Sequence, residues 1–116
     1  MIPVIAELIG KIEQHCPVGS ESVSEDTSFP YSTYDYTFSN TQERGDMRLT
    51  LDIWDKSTSV LNIEQLAEDI RELLDDSILR LDNDTTRVYF DRQVSIPDPS
   101  DEIKRRRQTY LVYNYN

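Results

Sequence analysis

Cysteine occurs once in this chain, at Cys16, histidine once, at His15, and glycine only at positions 10, 19 and 45. A single thiol excludes an intrachain disulfide and a cysteine-built metal cluster. One imidazole would need carboxylates to complete a metal centre, and no HExxH-type spacing supplies them, so His15 reads as a surface or helix-end residue. Isolated glycines exclude a phosphate-cradling loop. No stretch approaches the ~20 apolar residues of a membrane span, and no membrane association is expected. The N-terminus lacks the basic-then-apolar layout of a secretory signal, and export by that route is not expected. Bases are scarce too: 12 Lys and Arg stand against 22 Asp and Glu in 116 residues, a net charge of −10. Such a field opposes general binding to a phosphate backbone.

What is present suits one small domain spanning 1–116. Ile5, Leu8, Ile9 and Ile12 recur at helical spacing, which predicts a helix over 3–15, with Pro3 tolerated in its first turn. Residues from Pro17 to Asp26 offer little to bury and read as a loop. Tyr34, Tyr36 and Phe38 share one parity in a strand over 29–39. A hairpin connection follows at Thr41–Asp46, near Gly45. Met47, Leu49, Leu51 and Ile53 then alternate with Arg48, Thr50, Asp52 and Trp54, a strand over 47–55. Trp54 interrupts the polar side and reads as packed under a loop or set in a subunit contact.

A helix over 63–76 is specified by Asn62 as N-cap, Gln65 completing a capping box and Leu61 stapled to Leu66. Its apolar stripe runs through Ile63, Leu66, Ala67, Ile70, Leu73 and Leu74, with acids on the other side. Asp75 and Asp76 sit unfavourably near its C-terminus, where a basic partner would offset them. Ser77 to Leu81 reads equally as a helix tail or a short strand, and Asn83-Asp84 as a turn. Strands follow over 86–95, bulged around Arg92-Gln93, and over 107–115, the last with apolar groups on both parities. That pattern suits a strand central in the sheet or covered by another chain. The fold class predicted is α/β (α+β): a small, mainly antiparallel four-stranded sheet against which an N-terminal helix and a central amphipathic helix pack. Its expected core is Ile5, Leu8, Ile9, Leu49, Leu51, Ile53, Ile63, Leu66, Ile70 and Leu74.

No catalytic or metal-binding set emerges, and neither an enzyme nor a cofactor is expected. Asp75 with Asp76 and Asp82 with Asp84 lack a glycine-centred calcium loop, and Asp52 with Asp55 lack a partner or pocket for acid–base work. Charge is unevenly spread: residues 61–84 sum to −6, whereas 85–116 sum to +2 and contain Lys104, Arg105, Arg106 and Arg107 in succession. That run reads as a solvated approach to a strand, as a contact with the acidic helix of another chain, or as a phosphate contact.

In layout the chain resembles the small tail-terminator or tail-completion proteins of long-tailed bacteriophages and prophages. IAELIGKI, RLTLDIWDKS, NIEQLAEDIRELLDD, RVYFDRQVSIPD and RRRQTYLVYNY carry the likeness, which is one of element order without a chemical signature. It implies a structural role: a homo-oligomeric ring, a hexamer when assembled, capping the tail tube and joining it to the head completion or connector protein. DNA would pass through without specific binding. The resemblance implies a place in the virion, at the head-proximal end of the tail, and in host cytoplasm during assembly. Glu64, Glu68 and Glu72 recur at i,i+4 as a candidate channel-facing ridge, with Lys104, Arg105, Arg106, Arg107, Trp54, Tyr110 and Tyr113 as candidate interface residues. A head-completion, connector or minor tail protein, or a soluble protein-binding adaptor, is the alternative.

Overall fold

The computed structural model describes residues 2–20, 28–38, 47–81 and 84–115, so the connection expected at Thr41–Asp46 and most of the loop after Pro17 lie outside the described residues. In chain order the elements are α1 (Ile2–Ile12), β1 (Val18–Ser20), β2 (Tyr31–Phe38), β3 (Met47–Lys56), α2 (Leu61–Leu74), β4 (Ile78–Leu81), β5 (Asp84–Ser95) and β6 (Ile103–Tyr115). The strands form one mixed sheet in the order β1-β2-β3-β6-β5-β4, curled as a half-barrel.

This corrects the four-stranded expectation. β1 falls in the segment read as a loop; it is three residues long and pairs parallel with β2. So short a strand shows no alternation, and it is held by register and by Ser32 N–H donating to the Pro17 carbonyl at 2.9 Å. Ser77 to Leu81, undecided from sequence, supplies β4 antiparallel to β5. The bulge lies between Phe90 and Arg92, slightly before the expected position.

β6 occupies the centre, paired with β3 over residues 103–112 and with β5 over 106–115. A strand of 13 residues at ~3.4 Å each spans about 44 Å, which accounts for the 46 Å long axis. Its mixed parity is therefore satisfied within the chain, by the helices on one face and by cross-strand neighbours on the other. The connection from β3 to β4 carries α2 across the central strands, where the hydrophobic stripe closes the core. Ile63, Ala67, Ile70 and Leu74 are buried there with Leu49, Leu51, Ile53, Val88, Tyr110 and Val112. α1 adds Val4, Ile5, Leu8 and Ile12, while Ile9 and Leu66, expected in the core, sit at its margin.

The start of α2 differs from the expected capping box. Its N-cap is Val60, without a side-chain cap bond. Leu61 N–H instead donates to Ser59 Oγ at 3.2 Å, and Gln65 Nε2 donates forward to Asp69 Oδ1 at 2.8 Å. The helix begins one residue before Asn62, so the carboxamide stands inside the first turn. Leu61, assigned as the staple, is exposed. Asn62→Ala should therefore change the unfolding free energy by less than ~0.5 kcal/mol, against the ~1 kcal/mol of a lost N-cap; urea denaturation distinguishes the two.

Candidate assembly surface

The pleat divides the four-base run between two faces. β3 and β6 align Asp52 with Arg107 and Trp54 with Arg105, which turns these four side chains to the face without helices. Arg106, opposite Ile53, turns to the helix side. There its guanidinium meets Glu64 of α2 at 2.6–2.7 Å, with Arg106 only 10% exposed and Glu64 48%. Lys104 donates to the Asp101 carbonyl oxygen. The acidic helix and the basic run thus meet inside one chain, through the ion pair of Arg106 with Glu64.

On the open face Asp52 accepts from Arg105 at 2.8 Å and from Arg107 at 2.9 and 3.2 Å. Burial pushes its carboxyl pKa up, but hydrogen bonds from Arg107 and Arg105, with their charges, outweigh this and hold it below the usual carboxylate range. Arg105 also lies 4.2 Å from the Trp54 ring centroid, and Trp54 stacks on Tyr31 at 6.1 Å. Among the described residues Trp54 is thus sandwiched between Tyr31 and Arg105 on the sheet face. Its Nε1, Arg105 Nε and Asp55 Oδ2 are buried and find no hydrogen-bond partner among the described residues.

The register gathers Arg48, Arg80, Arg87, Arg92, Arg105 and Arg107 on this face, against Asp35 and Asp52, with Arg87 also paired to Asp76 at 2.6 Å and Arg92 lying 3.9 Å from Asp91. A shallow groove of about 380 Å³ opens over it, lined by Thr33, Tyr34, Asp35, Thr50, Asp52 and Arg107. A chain of net charge −10 therefore presents one face with a surplus of arginine. Sequence reading found the run at 104–107; Arg48, Arg80, Arg87 and Arg92 are spread over three other strands and join it only through register.

The opposite side is acidic. Glu68 and Glu72 are exposed on α2, beside the half-exposed Glu64. At the end of this helix Asp76 has φ 59°, a left-handed turn that stops α2. Its carboxylate pairs with Arg87 at 2.6 Å, and Asp75 accepts from Phe90 N–H at 2.8 Å. The acids that sequence marked as unfavourable thus tie the helix end to β5.

Tyr110, expected at an interface, is fully buried. Its hydroxyl donates to Gln108 Oε1 at 2.6 Å, while Gln108 Nε2 donates to the Ala67 carbonyl at 2.9 Å and to Gln93 Oε1 at 2.8 Å. Burial, with the nearby Asp75 charge, raises the phenol pKa against a smaller opposing effect of Arg71. Because Tyr110 lies on the core parity of a central strand, an interface role is excluded. Tyr110→Phe should cost about 1 kcal/mol by leaving Gln108 Oε1 without its donor, measurable by thermal and urea unfolding. Tyr113 remains half-buried on the open face, edge-to-face with Tyr89 at 5.8 Å.

Among the described residues no three His, Cys, Asp or Glu side chains are grouped to hold a metal ion, and no helix is long and apolar enough to cross a membrane. Cys16 is buried with its Sγ 3.5 Å from Ser32 Oγ, and burial raises its pKa despite that hydrogen bond.

Comparison with protein-family models and with curated protein sequences finds no match. Among solved structures, the chain is similar to a chain of the virion of a native gene transfer agent particle. The TM-score is 0.69 at 10% identity, over 94% of this chain and 84% of that one. At that identity the likeness establishes a shared fold.

Proposed function

We propose that this chain is a structural, non-enzymatic protein of a phage-like virion. Within that class it acts as a tail terminator: copies form a ring, six when assembled, on the last ring of the tail tube and present a joint to the head connector. The observation that carries the reading is the fold shared, over 94% of this chain and 84% of the other, with a chain of a gene transfer agent virion. The sheet adds support, because backbone groups at its rims are open to a neighbour. Among the described residues β5 pairs with β4 through residues 84–87 and β1 with β2 at residues 32–34, which leaves 91–95 and 35–38 as outer edges there. Phe38 and Val94 expose nearly half their surface on those edges. The acidic surplus of the chain suits a ring through which DNA passes without adhering.

The test is electron microscopy of the protein mixed with tail tubes made from the tube gene adjoining its own. Rings at tube ends support the reading. Binding to isolated connectors, with tube ends bare, would assign a head-completion role, and a monomer that binds one cytosolic protein would make it an adaptor.

A further inference from the structure

We infer that the arginine-bearing open face of the sheet receives the acidic outer face of α2 from a second copy of this chain. The inference rests on the assembly role above and names the two surfaces through which copies would associate.

Charge complementarity comes first. Asp52 is shared by Arg105 and Arg107, so one carboxylate answers two guanidinium groups, while Arg48 and Arg92, the latter 3.9 Å from Asp91, are exposed cations further along the same face. The outer face of α2 carries the exposed Glu68 and Glu72, and Glu64 beside them is engaged by Arg106 of its own chain. Dimensions agree as well. α2 has 14 residues, about 21 Å at ~1.5 Å each, and Arg48 to Trp54 along β3 covers about 20 Å. Glu68 and Glu72 are one turn apart, ~6 Å, close to the ~7 Å between alternate strand residues such as Arg105 and Arg107. A helix ~10–12 Å across also matches the width of three strands set ~4.8 Å apart.

The two surfaces lie on opposite sides of the subunit, since α2 packs against the other face of the sheet. Each copy therefore uses its sheet face toward one neighbour and its helix toward the next. That heterologous arrangement closes as a ring where the two faces are inclined. It places Glu68 and Glu72 in the subunit contact and takes them out of the channel lining.

A charge exchange tests this. One variant carries Arg48→Glu and Arg92→Glu, the other Glu68→Lys and Glu72→Lys. With each reversal changing the charge by two, they carry −14 and −6 against −10 in the wild type, so net charge alone would keep them apart. Each alone should associate at least ~10-fold more weakly than the wild type in low-salt sedimentation, and an equal mixture should regain association that salt removes. A control with Glu7→Lys on α1 and Glu13→Lys in the turn after it should not rescue the arginine variant.

Wild-type association unaltered in both variants would overturn the inference while leaving the ring open to another contact. No association in the mixture, with the wild type monomeric at the same concentration, would also overturn it, and tube-end imaging would then decide the assembly role separately. Salt-sensitive duplex binding by the wild type, lost in the arginine variant, would assign the face to DNA instead.

Discussion

Asp52→Ala should lower the free energy of unfolding by about 2 kcal/mol, seen as a lower urea midpoint. Asp52 has 14% of its side chain exposed, Arg105 22% and Arg107 40%. Removing one partner of a fully buried pair costs ~3–5 kcal/mol, but the exposure of Arg107 lets water take over part of what is lost. Asp52→Asn keeps the shape and removes the charge, and should fall between the variant and the wild type. The pH dependence has a definite sign. The folded carboxyl titrates below its unfolded value of ~3.9, so its contribution is present above that pH and is lost as pH falls through the folded value. Wild-type stability should therefore decline below about pH 4 more steeply than that of Asp52→Ala. Parallel profiles would show that the arginines do not hold the carboxylate.

Ile70→Ala should be costlier, about 3 kcal/mol, or a fall in Tm of about 12 °C at ~4 °C per kcal/mol for a chain of this size. Ile70 is fully buried on the sheet-facing stripe of α2 with Ile63, Ala67 and Leu74. Ile70→Val removes one methylene and should cost about 1 kcal/mol; because alanine is the better helix former, the larger loss in Ile70→Ala reports packing and not helix propensity. A neutral Ile70→Ala, by scanning calorimetry and urea titration, would show that α2 does not shield the sheet.

These expectations differ in how directly residues near one another in the chain announce them. The stripe of α2 and the alternation of β3 are local, because a side chain's face is set by the helical or strand period, and both are legible from the residue order. The capping box failed because Asn62 and Gln65 have the right spacing while the helix starts one residue earlier, with Ser59 as acceptor for Leu61. Tyr110 was misassigned for a related reason. On a strand with apolar groups on both parities, which side is core follows only from the position of α2.

By itself the sequence determined the helices, the long strands, the acidic surplus and the absence of a recognisable catalytic signature, since each follows from composition or from a short repeat. Tertiary structure alone decided the six-stranded order, the separation of Arg105 and Arg107 from Arg106, and the gathering of arginines from β3, β4, β5 and β6 on one face. Those depend on which distant segments pair and in what register, and a shift of one residue would send each side chain to the other face.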